Sequence, residues 1–133
     1  MPLSADRNTP MRNTEILLVQ VAGGVKIYAG SLVCFNANGF ATPGATATTL
    51  TYAGRAETSI DNTAGADGAV SINVRRRKAF KWANSAADPL TLANIGQIVY
   101  IVDDFTVAKT NGANTRSPGG KLMAVDVDGV WIE

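Results

Sequence analysis

The chain has no histidine, a single cysteine and no long hydrophobic run. Without histidine it lacks the commonest general base and the commonest metal ligand in proteins. One thiol, Cys34, excludes an internal disulfide and a cysteine-based zinc site. The longest apolar run, residues 16–21, is far shorter than the roughly 18 residues of a membrane-spanning helix. We therefore predict no enzyme activity, no catalytic, metal-binding or cofactor-binding residues, and no membrane partner.

Charge is also scarce. Charged residues make up 17% of the 133 positions, with 12 basic against 11 acidic side chains and a net charge of +1. A nucleic-acid-binding domain normally carries a clear excess of cations, so nucleic acid is not an expected partner. Residues 1–12 have no apolar core of the kind a signal peptide needs. We expect a soluble protein that is made in the cytoplasm.

The residues that are present form a β pattern. Short apolar runs alternate with Gly, Asn and Asp, and no long stretch repeats with the period of a helix. This predicts an all-β, single-domain β-sandwich or partly closed β-barrel of short antiparallel strands. The predicted strands cover residues 15–22, 25–28, 32–35, 40–41, 50–57, 69–75, 78–82, 97–102, 105–108, 121–127 and 130–132.

The polar residues 1–14, interrupted by Pro2 and Pro10, are predicted to be an extended N-terminal arm before a single β domain at 15–133. The first strand of that domain is apolar on both faces at residues 16–19, which indicates a central or interface position.

Several shorter patterns predict local structure. Asp128-Gly129 is the strongest hairpin signal in the chain. Residues 90–95 fit one helical turn, residues 61–68 read as a loop, and the Ser-Pro-Gly-Gly sequence at 117–120 reads as a break between strands.

The few chemically active side chains have simple structural interpretations. Cys34 lies in an apolar run and is expected to be a buried, inert thiol. The carboxylate pairs Asp103/Asp104 and Asp126/Asp128 are expected to form turns, because neither pair belongs to a complete calcium-binding loop.

The charged feature with a distinct pattern is Arg75-Arg76-Arg77-Lys78, followed by Lys81. Two interpretations stay open: a solvated strand end paired with carboxylates elsewhere, or an electrostatic contact with an acidic partner. Trp82 is likewise either a core residue or a binding anchor. With the two arginines of the arm, the candidate interface residues are Arg7, Arg12, Arg75, Arg76, Arg77, Lys78, Lys81 and Trp82.

The second half of the chain has a recognisable set of motifs. Residues 96–107 read G-Q-I-V-Y-I-V-D-D-F-T-V, and they are followed by N-T-R at 114–116, G-K-L at 120–122, V-D at 125–126 and G-V-W at 129–131. Upstream, Asp67-Gly68 precedes Val70, Val74, Arg75 and Phe80. With these motifs, residues 54–133 resemble the small capsid proteins of tailed bacteriophages called decoration, cement or head-stabilisation proteins.

This resemblance implies a function as well as a fold. It implies a β-rich homodimer or homotrimer that binds the major capsid protein on the outside of the head and bridges capsomers, after assembly in the host cytoplasm. An arm that becomes ordered on binding suits this role, with Arg7 and Arg12 meeting carboxylates of the shell. The alternatives are another phage structural module, of the tail or fibre base, and a carbohydrate-binding β-sandwich.

Overall fold

The computed structural model describes residues 1–133 and contains twelve strands and one 3-10 turn. The strands are β1 (Ile16–Gln20), β2 (Lys26–Ile27), β3 (Leu32–Phe35), β4 (Ala41–Pro43), β5 (Thr51–Ala56), β6 (Ile60–Asp61), β7 (Ser71–Arg75), β8 (Phe80–Asn84), β9 (Ile98–Ile101), β10 (Thr106–Ala108), β11 (Pro118–Asp126) and β12 (Gly129–Ile132). The 3-10 turn, Leu92–Asn94, lies where one helical turn was predicted. The all-β fold class is confirmed.

Five strands form an open antiparallel sheet in the order β1-β7-β5-β3-β4. β1 pairs with β7 over its whole length, from Ile16 opposite Arg75 to Gln20 opposite Ser71. Because side chains alternate between the two faces of a strand, Val19 is buried on the inner face while Leu18 is exposed on the outer one.

Five further strands close into a barrel in the order β10-β8-β12-β11-β9. Its β8–β10 pair is parallel, with Thr106 opposite Ala83, whereas all other pairs between these twelve strands are antiparallel, as predicted. Parallel neighbours require a long crossover connection, and here that connection contains the 3-10 turn and β9.

The sheet packs on the barrel through β3, which contributes to two hydrophobic cores. Leu32 and Cys34 enter the core that fills the barrel, while Val33 points to the core on the other face of the sheet. The ribbon of β2 and β6 covers that second core with Ile27 and Ile60. Because one short strand is buried on both sides, the two halves of the molecule share their interior.

Two sequence-based expectations fail for identifiable reasons. Residues 117–120 are not a break, because β11 begins at Pro118. A Cβ on Gly120 would strike the backbone carbonyl of Glu133, so this glycine permits close strand approach rather than a turn. The second failure is β6, which lies partly within the predicted loop 61–68 and has only two residues.

β1 is not a central strand; it is the edge of the sheet. Its outer face carries Ile16 and Leu18, which are 46% and 64% exposed. The sequence predicted either a central or an interface position for this strand. The central position is wrong, and an interface position stays a prediction.

Residues 1–13 are exposed and contain no strand or helix. The structure also contains no helix of the length and hydrophobicity needed to cross a membrane.

Candidate interface at the sheet–barrel junction

The basic segment, residues 75–78, links the two halves of the molecule. β7 ends at Arg75 in the sheet, and β8 begins at Phe80 in the barrel. Arg77 redirects the chain between them with a φ of 59°, a left-handed conformation uncommon for any residue but glycine. Arg76 continues the pairing with the β1 side of the sheet by one residue, and its Nε is buried, whereas Arg77 and Lys78 are exposed in the connection to the barrel.

Three of the predicted cations are paired with carboxylates inside the molecule. Lys78 Nζ lies 3.2 Å from Glu15 Oε1, and Arg75 Nε lies 3.3 Å from Glu57 Oε1. Lys81 Nζ contacts Asp128 Oδ1 at 2.5 Å. For these three residues the interpretation as a paired, solvated strand end is confirmed.

Glu57 holds two arginines at once. Its Oε1 accepts hydrogen bonds from Arg55 Nη2 at 2.7 Å and from Arg75 Nε at 3.3 Å. The hydrogen bond from Arg55, more than that from Arg75, holds the pKa of Glu57 below its usual value. Glu57 thus holds Arg55 and Arg75 side by side where the sheet meets the barrel.

Lys81 is held in a similar way on the barrel. Its hydrogen bond to Asp128 raises the pKa of the ammonium group, and the same bond lowers the pKa of Asp128. Asp126 lies 3.8 Å away and also accepts a hydrogen bond from Trp131 Nε1 at 2.7 Å. The ammonium group lies 5.8 Å from the centre of the Trp131 ring, so lysine, tryptophan and carboxylates form one cluster.

These cations line an open basic cleft of about 550 Å³ between sheet and barrel. Its lining contains four cations and no carboxylate, and each of these cations makes an ion pair with a partly or largely exposed carboxylate next to the cleft. The lining residues are Gly30, Arg55, Arg75, Lys78, Ala79, Phe80, Lys81, Trp82 and Trp131.

Arg76 and Arg77 face a second opening, which we call the arginine cleft. It measures about 510 Å³ and is completed by Tyr52, Ala53 and Glu133. Neither arginine is within ion-pair distance of a carboxylate. The buried Nε of Arg76 also has no hydrogen-bond acceptor, which is unusual for a buried donor. The uncompensated charge of the basic segment is therefore concentrated on these two residues.

Trp82 is a core residue. It is 2% exposed, and its Nε1 donates a hydrogen bond to Tyr52 Oη at 3.2 Å. A side chain buried to this degree cannot anchor a partner. Of the two predicted roles of Trp82, the core role is therefore confirmed, and its inclusion among the candidate interface residues was wrong. Trp131, by contrast, is partly exposed in the wall of the basic cleft.

The arm leaves the fold beside the basic segment. The carbonyl of Glu15 accepts a hydrogen bond from the Arg76 backbone N–H at 2.7 Å. Within the arm, Arg7 Nη1 donates to Thr9 Oγ1 at 3.0 Å, while Arg12 makes no hydrogen bond or ion pair. Neither Arg7 nor Arg12 contacts the basic segment, but the arm joins the fold at Glu15, directly beside that segment.

Sequence reasoning missed Arg55, Glu57 and Glu15 as parts of this site. Arg55 and Glu57 were detectable as a pair, because residues two apart on the predicted strand 50–57 share a face. Their meeting with Arg75 depends on the β5–β7 register, which puts Arg55 opposite Arg75.

Asp103 and Cys34 have structural roles. Asp103 Oδ1 accepts from the N–H groups of Phe105 and Thr106 at 2.9 and 2.8 Å, as expected of a turn former. Cys34 is fully buried, and burial raises the pKa of its thiol to about 12. No three His, Cys, Asp or Glu side chains are grouped so that they could hold a metal ion.

Comparison with protein families, curated proteins and solved structures finds no match for this chain. The resemblance to phage capsid proteins therefore rests on the motifs of residues 54–133 and stays a prediction.

Proposed function

We propose that this protein is a capsid decoration protein of a tailed bacteriophage, which binds the outside of the major-capsid lattice and stabilises the head by bridging capsomers. The observation that carries the proposal is the basic end of the sheet. There the uncompensated arginines, Arg76 and Arg77, lie at the root of an exposed arm that holds Arg7 and Arg12.

Two kinds of contact are combined in this arrangement. The arginine cleft offers two guanidinium groups without a carboxylate partner, and guanidinium groups suit carboxylates because they donate in a planar, paired geometry. The arm offers a longer reach, since an extended chain covers up to about 3.5 Å per residue. Contacts of this kind on neighbouring capsid subunits add up to slow release even where each one is weak.

The arm is tested by deleting residues 2–13. We expect the shortened protein to keep its fold, because residues 1–13 are exposed, and to lose occupancy on empty heads assembled from the cognate major capsid protein. Co-sedimentation followed by quantitative gel analysis measures this occupancy. Unchanged occupancy would remove the arm from the proposed mechanism.

The arginine cleft is tested by Arg77→Glu, with Lys109→Glu as the matched control. Both residues are exposed cations without an ion pair, so the change in net charge is the same. We expect Arg77→Glu to weaken head binding by about tenfold or more, and raised salt to weaken wild-type binding, because surface charges are screened. Equal binding by the two variants would contradict a specific role for the cleft.

The carbohydrate-binding alternative has less support. Sugar sites use exposed aromatic faces, whereas in the basic cleft Phe80 and Trp82 are 7% and 2% exposed and Trp131 is partly covered by Lys81. Tyr28 and Phe105 are 58% and 60% exposed, but neither lines one of the two clefts. A positive glycan array would favour it nonetheless, and localisation of the protein on the tail by electron microscopy would favour a tail or fibre-base module.

A further inference from the structure

The arginine cleft contains hydrogen-bond donors for which the molecule supplies no acceptor. A guanidinium group carries five N–H bonds and cannot accept a hydrogen bond itself. The side chains of Arg76 and Arg77 donate no hydrogen bond within the molecule, and the Nε of Arg76 is buried. The arginine side chains that do donate are those of Arg7, Arg55, Arg75 and Arg116. A buried donor without an acceptor costs free energy, which an acceptor from outside the molecule can recover.

The backbone brings both charges to the same opening. Successive residues of an extended chain point to opposite sides, but the left-handed conformation of Arg77 turns the chain directly after Arg76. Both side chains line one cleft, and no carboxylate lies within ion-pair distance of either. Two like charges in one cleft repel each other, and an anion that contacts both relieves this repulsion. Non-glycine residues in a left-handed conformation are uncommon and are concentrated at functional sites.

The other walls of the cleft are fixed by the fold. Tyr52 and Ala53 belong to β5, and the Tyr52 hydroxyl accepts a hydrogen bond from Trp82 Nε1 at 3.2 Å. The backbone of Glu133 is paired with that of Lys121 through two hydrogen bonds of 2.9 and 3.0 Å. The exposed side chain of Glu133 is the one acidic group in the lining, so it opposes an anion in the cleft. The cleft is therefore a fixed opening in which two cations outweigh one carboxylate.

We propose that the arginine cleft is a binding site for one oxyanion, of the carboxylate or phosphate kind, which Arg76 and Arg77 bind together and which Glu133 weakens. Guanidinium groups suit both kinds of anion, because their planar N–H groups donate charge-assisted hydrogen bonds to paired oxygens. The choice of a shell carboxylate as the natural occupant rests on the proposed function. The affinity of the free protein for small oxyanions does not depend on any capsid.

A site of this kind distinguishes one anion from another, whereas general screening does not. The screening of exposed charges depends on the ionic strength alone. An oxyanion in the cleft instead gives the buried Nε–H of Arg76 an oxygen acceptor at hydrogen-bond distance. Phosphate or acetate should therefore act on the cleft under conditions in which chloride of the same ionic strength has no effect.

The first test is an NMR titration of the free protein with inorganic phosphate, and separately with acetate, against sodium chloride at equal ionic strength. We expect the Nε–H signal of Arg76 to shift and to saturate in the millimolar range with phosphate, and not with chloride. Saturation with acetate as well supports a shell carboxylate as the occupant. Saturation with phosphate alone assigns the site to a phosphate group and contradicts a carboxylate occupant. The absence of a saturable shift with either oxyanion would overturn the proposal.

Three variants assign the binding to the named residues. Arg76→Lys keeps the charge but lacks the Nε donor, and Arg77→Asn removes the charge while asparagine tolerates the left-handed conformation. Each should weaken phosphate binding by about tenfold or more. Glu133→Gln should strengthen it several-fold, since a like charge is lost.

Asp104→Asn is the matched control for Glu133→Gln, because it removes the same charge from a carboxylate that does not line the cleft, and it should leave phosphate binding unchanged. Unchanged amide spectra away from the cleft show that each variant is folded. Equal affinity for phosphate in wild type and all four variants would overturn the assignment to the arginine cleft.

Head binding separates this site from the proposed function. Co-sedimentation with empty heads is compared in phosphate and in chloride at equal ionic strength. With a shell carboxylate in the cleft, phosphate should lower the occupancy of the wild-type protein more than chloride does. Saturable phosphate binding by a protein that binds no head would overturn the capsid function alone. Head binding by a protein that binds neither phosphate nor acetate would overturn the oxyanion site alone.

Discussion

Gly54 occupies a position that no other residue can fill without a change in the sheet. Its φ is 144°, and a Cβ built on it would collide with the backbone carbonyl of Arg75. The β3–β5 ladder shifts register at this point, between Val33 and Cys34. The glycine therefore lets β5 lie against the end of β7, where the basic segment begins.

Replacing this glycine with alanine should be costly. We expect Gly54→Ala to lower the free energy of unfolding by at least about 2 kcal/mol, because backbone strain and a collision with backbone combine. Gly39→Ala is the control, since Gly39 has a φ of 86° with nothing within 4 Å of the added carbon, and it should cost about 1 kcal/mol. Urea denaturation measures both; equal losses would show that the collision relaxes freely.

At the scale of one element, Asp88 fixes the loop between β10 and β11. Its Oδ2 accepts hydrogen bonds from Thr110 N–H at 2.9 Å, Thr110 Oγ1 at 2.6 Å and Arg116 Nη1 at 3.0 Å. The hydrogen bond from the Thr110 hydroxyl, with those from the Thr110 amide and Arg116, holds the pKa of Asp88 below its usual value of 3.8. One carboxylate thus holds both ends of the loop between β10 and β11 in place.

Asp88→Ala should destabilise the protein by about 1–2 kcal/mol at neutral pH, because charged hydrogen bonds are lost. Since the folded pKa is lowered, the contribution of Asp88 is present above pH 3.8 and lost as the pH falls below that value. The difference between wild type and variant should therefore shrink in acid. Asp6→Ala, in the exposed arm, should change stability little at either pH; a constant difference for Asp88→Ala would contradict the assigned bonds.

Local sequence patterns predicted where most strands lie in the chain, but they did not predict which strands lie next to one another in the sheet. β3 was predicted at its observed limits because an apolar run is bounded by turn residues on both sides. The start of β11 was missed because Gly120 is needed for the close approach of the Glu133 backbone. A single sequence cannot distinguish a glycine required by close strand approach from a glycine required by a turn. The edge position of β1 depends on which strands lie beside it, and no local pattern contains that information.

The candidate site shows the same division. The basic segment was found from the sequence because its cations are contiguous. The carboxylates that neutralise some of them lie just before β1, just after β5 and in the β11–β12 turn, so their positions depend on register and strand order. Which arginines are left without a partner could therefore be recognised only once the strands were in place.

At the scale of the whole molecule, sheet and barrel are joined through a buried polar contact inside the shared core. Tyr52 on β5 and Trp82 on β8 share a hydrogen bond of 3.2 Å, and Cys34 of β3 belongs to the same core. Burial raises the pKa of Cys34 and of Tyr52 to about 12 in each case. In the folded protein both groups are neutral well beyond the pH at which they would ionise in an unfolded chain.

This contact predicts how the molecule unfolds in alkali. Because both pKa values are raised, their contribution to stability is complete below pH 9, the ordinary value for the thiol, and is lost as the pH rises toward about 12. Tyr52→Phe removes one ionisable group and leaves the Trp82 N–H without its acceptor. We expect it to cost about 1–2 kcal/mol at neutral pH and to reduce the alkaline loss of stability. Tyr100→Phe is the control. Urea denaturation from neutral pH to about pH 11 checks both effects, and an alkaline slope equal to that of wild type would show that Tyr52 ionises as readily in the folded protein as in the unfolded chain.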